Sequence, residues 1–440
     1  MNQAGDYKLE SIIVHSASGP IDIKSLMVEL NVYESIFSPA IYGNIVIADS
    51  ANHIQNMPLI GQEEIEFKIR IDDNPDNETI DFKTRRARIY KISDQVRTAE
   101  RQQVYTLHFT SQEAIENQRV KVKGAFNATT DQIVANILQN IIKTKKSIAV
   151  EQSSLHTKVI GNQMTPFDFI KNILCKRSSS KTFKDGGYTF FESHRGYMFT
   201  SYQRMWFRAP GQEVNVQENY IVQPSKRDSS IAEDMKSVLE YKIMKGQDTL
   251  AGMATGLLAS KHFVYDTHKK KLTITPHNYY KNFIDSVHAA DGTLFTTTPE
   301  KSDGKTIFEF NDYMIDYNLK DTGLHTDTPS DNHIGKLATN RFTYLSHDQL
   351  KAKVTVFGNT NLAAGDIIHL RVPSYEPVDK TTTRVHDAFL SGRWLLTNVV
   401  HTINNTRYTT TFDCVRDSVE QPYNKTSTSI EETSNDYNNQ

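Results

Sequence analysis

Glu64-Ile65-Glu66-Phe67-Lys68-Ile69-Arg70-Ile71 sets charge against apolar bulk at every second position, the period that gives a β-strand two chemically different faces. Ile65, Phe67 and Ile69 are therefore expected to point into a core. Similar patterning extends outward in both directions. Ile21-Asp22-Ile23, Leu26 to Tyr33 and, past a Ser38-Pro39 break, Tyr42 to Asp49 come before it. After it, the turn cluster Asn74-Pro75-Asp76-Asn77 leads to Phe82–Ile92 and Val104–Thr110. About six strands and no long helix predict a closed barrel or a sandwich here.

Near residue 120 the period changes. Thr129-Thr130-Asp131 stands before Ile133, Val134, Ile137, Leu138, Ile141 and Ile142, which is helical spacing behind capping residues. Thr165-Pro166 opens a second helix, with Thr165 as N-cap and Phe167, Phe169, Ile170, Ile173 and Leu174 as its apolar stripe. An aromatic hairpin follows, Tyr188 to Glu192 turning through His194-Arg195-Gly196 into Tyr197-Met198-Phe199. Strand character returns from about Ile221, through Val238–Lys245. Leu250–Ser260 reads as a short helix running into His262–Asp266 and Lys271–Ile274. Residues 276–332 are polar and aperiodic, and Ile334 to Leu345 suggests another helix. Lys353–Gly358, Ile367–Val372 and the hairpin Trp394–Ile403 with Arg407–Val415 close a second β unit. The end, residues 424–440, has too little apolar content to fold alone.

Composition narrows the function. A chain of 440 residues has room for two or three packed units. No apolar run approaches the ~20 residues that cross a bilayer, and Met1–Tyr7 lacks the layout of a secretory signal. We expect a protein kept inside a cell or packaged into a particle assembled there. Fifty Lys plus Arg against 52 Asp plus Glu leave a charge of -2, without the basic excess that gripping phosphate backbones requires. Cys175 and Cys414 are too isolated for a disulfide framework or a CxxC pair and read as buried thiols.

Catalytic signatures are missing. Gly304-Lys305-Thr306 ends like a P-loop, but Pro299 replaces its first glycine. GxSxG and HExxH do not occur. The nearest histidines, His262 and His268, lack the i,i+4 spacing that puts two imidazoles on one helix face. Glu63-Glu64, Asp72-Asp73 and Glu431-Glu432 are adjacent, and strand neighbours face opposite ways, so they do not make a glycosidase pair. Basic clusters at Lys83, Arg85, Arg86 and Arg88, at Lys143, Lys145 and Lys146, and at Lys269–Lys271 read as solvated faces, with an acidic protein surface as the alternative contact. Tyr188–Phe199 with Arg195 reads as core packing rather than a base-stacking platform. No residue is expected to serve catalysis, a cofactor or a metal.

Four stretches, taken in order, resemble the central hub proteins of contractile-tailed bacteriophage baseplates, relatives of the N-terminal part of type VI secretion spike proteins. They are Ser38–Asp49 leading to Leu59–Glu64, Thr165–Ile173 with Gly187–Glu192, Met253–Asp266, and Phe357–Asn359 to Gly365-Asp366. The resemblance implies an α+β, β-rich fold with two tube-type antiparallel β-barrel domains per chain. The expected boundaries are a first barrel at 1–118, an α/β insert at 119–207, a second barrel split into 208–250 and 333–418 around an excursion at 251–332, and a flexible tail at 419–440. It also implies a homotrimer of pseudo-six-fold symmetry that joins a six-fold tail tube to a three-fold spike. Genome DNA would pass without specific binding. The implied partners are the spike below, the tube or its initiator above, and wedge proteins and the tape measure. The implied location is the virion baseplate, after assembly in the bacterial cytoplasm. The competing reading is a cell-envelope-degrading, glycosidase-type baseplate enzyme. A carbohydrate-binding β protein fits less well, with only Trp206 and Trp394 for sugar platforms.

Overall fold

The computed structural model describes residues 3–56, 59–71, 77–100, 102–154, 156–183, 187–206, 216–222, 230–246, 248–266, 270–279, 283, 288, 315–319, 349–374, 386–387 and 389–419. The expected helix at 334–345, most of the excursion, the tail beyond Val419 and the Gly304-Lys305-Thr306 motif lie outside these residues.

The first strands are β1 (Lys8–Ser16), β2 (Gly19–Asp22), β3 (Met27–Ser35), β4 (Tyr42–Asp49), β5 (Glu64–Arg70), β6 (Ile80–Asp81), β7 (Ala87–Ala99) and β8 (Gln102–Ser111). The middle of the chain adds β9 (Ala125–Thr129), β10 (Ile148–Val150), β11 (His156–Ile160), β12 (Tyr188–Ser193) and β13 (Gly196–Ser201). Then come β14 (Val216–Ile221), β15 (Val238–Lys245), β16 (Ala259–Asp266), β17 (Lys271–Asn278) and β18 (Ile315–Leu319). The last are β19 (Leu350–Phe357), β20 (Ile367–Arg371), β21 (Gly392–Asn404) and β22 (Tyr408–Arg416).

One 14-stranded sheet carries the architecture, running β15-β19-β22-β21-β3-β4-β8-β7-β5-β1-β2 with β20 and β14 attached at β21 and β6 attached at β5. It contains the same pattern twice. In the first half the order β3-β4-β8-β7-β5 is antiparallel at every step, and in the second half β15-β19-β22-β21-β20 repeats both the order and the directions. The halves meet where β21 pairs antiparallel with β3, from Asn398 opposite Ser35 to Asn404 opposite Glu29.

This junction corrects the expected fold class. The fold is α+β and strand-rich, but no sheet among the described residues closes into a barrel. Each strand has only two hydrogen-bonding edges. A first barrel would close by pairing the free edge of β3 with the β1–β2 end, and that edge is already taken by β21. Local alternation predicts strands correctly and is silent about which edges meet.

Period two has the predicted result inside each half. Ile65, Phe67 and Ile69 are buried and pack with Leu30, Val32, Ile45, Leu107 and Phe109. A second core joins Val354, Val356, Trp394, Leu396, Val399 and Phe412. Ile403 and Tyr408, from the second half, pack into the first core, so the halves share apolar burial at their boundary.

The α/β segment between the halves holds helix Thr130–Asn136, which continues into a wide-turned segment at Ile137–Ile142, and helix Pro166–Phe169, continued by Ile170–Leu174. Thr165 sits at the N-cap as expected, yet its hydroxyl donates to Asp168 at 2.5 Å instead of capping a backbone N–H. Both helices pack on the aromatic hairpin β12–β13, where Phe190 and Tyr197 stack at 5.6 Å. The helix expected at Leu250–Ser260 is shorter, Thr249–Thr255, because Gly256 takes a left-handed φ of +76° and ends it.

Candidate functional site

Without a catalytic constellation, the features able to do work are the sheet's edges, its non-core face, and the polar groups where the modules meet. The edges follow from the repeat. In the second half, the outer part of β21 is covered on one side by β22 and on the other by β3. Its counterpart in the first half, the outer part of β7, pairs beyond Ile89 with β8 alone among the described residues, and Val96 there is 57% exposed. At one end of the sheet, β15 pairs among the described residues only with β19, and Leu239 and Met244 stand exposed. Both bare edges are therefore of the kinds that the chain already joins to each other at β21–β3.

The face away from the cores is polar, a row of amides and hydroxyls into which Glu29 and Asp413 are bonded, with Lys351 pairing Asp413 at 3.3 Å. Thr402 donates to Asn31 at 2.7 Å, Asn31 to Asn44 at 3.0 Å, and Ser35 to Asn398 at 2.5 Å. Thr355 meets Thr411 at 3.1 Å, and Ser93 meets His108 at 2.7 Å. This ladder of amides and hydroxyls crosses both halves.

The modules meet in a buried cluster. Glu34 and His401 occupy core-facing positions, the first after Leu30 and Val32 on β3, the second between Val399 and Ile403 on β21. His194 comes from the β12–β13 turn, where its backbone N–H donates to Glu34 at 2.7 Å. Its ring lies 2.9 Å from Glu34 through Nδ1 and 3.0 Å from Glu78 through Nε2. Burial alone would depress the imidazole, but Glu34 and Glu78 hold it up at about 9. Burial likewise pushes the Glu34 carboxyl up, and the neighbouring His194 more than reverses this, leaving it below its usual range. His401 has no such carboxylate pair and is pushed by burial down to about 4.

Arg195 continues the cluster, bonding Glu78, Asp366 and the Asn361 carbonyl, each at 2.6 Å. The hairpin's aromatics are core, as expected, and this arginine is a bolt between modules. A second buried ion cluster ties Lys146 to Glu113 and Glu192. Lys146 thus departs from the solvated reading.

Two of the three basic clusters converge on one cleft of about 620 Å³, lined by Lys83, Arg85, Arg86, Lys143, Lys145 and Lys146 with Glu64, Glu113 and Glu116. Glu64 bonds Arg86 and Arg88, whereas adjacent Glu63 turns the other way and accepts the N–H groups of Ile60, Gly61 and Gln62. Cys175 and Cys414 are free thiols, buried and pushed up by burial. No helix among the described residues is long and apolar enough to cross a membrane.

No family model matches the sequence. Over 430 residues, 95% of this chain and 96% of the other, it is 20% identical to a probable baseplate hub protein, gp334, of Vibrio phage KVP40. In fold it resembles the 43 kDa tail protein of prophage MuSo2 from Shewanella oneidensis, at 10% identity and a TM-score of 0.50 over 94% of this chain and 100% of that one. The tail protein of Neisseria meningitidis MC58 gives 10% identity and a TM-score of 0.51 over 94% and 98%. These likenesses show a shared fold.

Proposed function

We propose that this relative of phage tail and baseplate-hub proteins is the hub of a contractile phage tail. In this reading it is a homotrimer that joins the six-fold tail tube to the three-fold spike and leaves a channel for the genome. One observation carries the proposal: a five-strand order occurs twice in a single sheet, with the halves joined at β21–β3 while, among the described residues, β15 has no partner on its outer edge and the outer part of β7 pairs with β8 alone.

If β7 of one copy pairs with β15 of the next, the junction inside the chain is repeated between chains. Such head-to-tail contacts either run on as a filament or close into a ring, and cyclic closure is the common outcome for soluble oligomers. Three copies would then present six similar half-sheets, satisfying a six-fold partner on one side and a three-fold partner on the other. The ladder of Asn, Thr and Ser, with the carboxylates of Glu29 and Asp413 bonded into it, would face the passage, where neutral and acidic groups do not hold phosphates. The basic cleft would meet an acidic surface of the spike or a wedge protein. Assembly would take place in the bacterial cytoplasm, with the mature copy in the virion.

Light scattering on the purified chain and electron microscopy of isolated tails test this. The expected result is three copies around an axial opening, reduced to single chains by Val96→Pro on β7. A wild-type chain that is monomeric alone and shows no three-fold arrangement in tails overturns the proposal.

A further inference from the structure

We infer that Glu34, His194 and His401 form a divalent-metal site that pins the first half-sheet, the β12–β13 hairpin and the second half-sheet to one another. One ligand atom from each of the three lies within 4.8 Å of the others. The side chains are sealed from solvent: Glu34 and His194 are 0% and 2% exposed, and His401 is fully buried.

A second observation is independent of this proximity. The buried Nε2 of His401 makes no close hydrogen bond among the described residues, and the Leu362 backbone bonds the ring only weakly, with less effect on it than burial, Glu34 or His194. A buried ring nitrogen without a partner is costly unless something fills it.

The surroundings also suit metal ligands. A metal-bound imidazole is usually held by a group on its other nitrogen. Glu78 stands at 3.0 Å from Nε2 of His194, and the Tyr408 hydroxyl at 2.7 Å from Nδ1 of His401. Glu34 is oriented by the Ala364 N–H, which donates to Oε2 at 3.2 Å. Two imidazoles and a carboxylate, with no thiolate, suit Zn²⁺, Co²⁺ or Ni²⁺ and are too nitrogen-rich for Ca²⁺ or Mg²⁺.

Nδ1 of His194 faces Glu34 and carries a proton in the metal-free arrangement. Entry of the cation displaces that proton to solvent, so the balance is one metal in and one H⁺ out.

The test is Co²⁺ added to the full-length chain, followed by its visible ligand-field absorption and by thermal melting, at about pH 6 and about pH 8. The expected result is one Co²⁺ per chain and a raised Tm, with Zn²⁺ displacing the colour. His401→Gln should weaken binding by ~10-fold or more, while exposed His386→Gln leaves it unchanged. Absence of ligand-field bands and of any Tm shift in the wild type at both pH values overturns the inference, whatever the variants do. So does a thiolate charge-transfer band, which would assign the ion to Cys175 or Cys414. A folded His401→Gln chain that binds Co²⁺ as tightly as wild type does the same.

Discussion

The outer parts of β7 and β21 hold equivalent places in two copies of one strand order, yet one is bare and the other is enclosed. β21 reads Asn398-Val399-Val400-His401-Thr402-Ile403-Asn404, with Val399, His401 and Ile403 fully buried and β3 along its flank. β7 reads Ser93-Asp94-Gln95-Val96-Arg97-Thr98-Ala99, exposed for most of its length. Its pairing with β8 shifts register at three points, and Asp94 has a left-handed φ of +55°. Bulges and charge of this kind keep a bare edge from pairing at random. The lesson is that topology repeats while composition follows the neighbour.

The sharpest way to break the comparison is to put the same residue on both edges. Val400→Pro removes a ladder hydrogen bond from an enclosed strand and should cost at least ~3 kcal/mol, seen as a lowered midpoint in urea unfolding. Val96→Pro on β7 should change that midpoint by less than about 1 kcal/mol in the separated chain while abolishing self-association. Equal costs at the two sites would show that the outer part of β7 is already enclosed within the monomer.

A second test uses the carboxylates of Glu34 on β3 and Glu78 just before β6. His194 is held above its unfolded value, so its contribution is complete below about pH 6.5 and fades as pH rises through the folded value of about 9. Metal-free protein should lose on the order of 3 kcal/mol over that window. Glu34→Gln should flatten this alkaline slope, measured by unfolding at several pH values.

His401 acts in the opposite sense. Its folded value near 4 lies below the unfolded one, so stability falls as pH drops from about 6.5 towards 4. The acid slope should be shallower in His401→Gln than in wild type. The smallest effect is expected from Val96→Thr, which keeps β propensity on an exposed edge and should move stability by no more than about 0.5 kcal/mol. It should leave self-association intact.

Much of the strand content was legible because period two is a local property. Glu64–Ile71 and the final hairpin needed only their own residues to be recognised. Closure into barrels was misread because pairing partners are set over hundreds of residues: β3 takes β21, and no local signal in either strand says so. The junction cluster was hidden for the same reason. Glu34, Glu78, His194, Asp366 and His401 come from five separate places, and motif spacing is blind to that. A signal was nevertheless present: Glu34 extends the apolar series Leu30 and Val32, and His401 interrupts Val399 and Ile403. A polar residue in an inward slot marks a buried partner elsewhere.

The β3–β21 seam also has a consequence for how the chain is made. Ser35 and its partner Asn398 are 363 positions apart. A bacterial ribosome adding about 5–20 residues per second takes roughly 20–70 s to cover such a stretch. Throughout that interval the nascent N-terminal sheet has an unpaired strand available to other nascent chains. Synthesis speed and chaperone supply, rather than final stability, should therefore set the soluble yield of this protein.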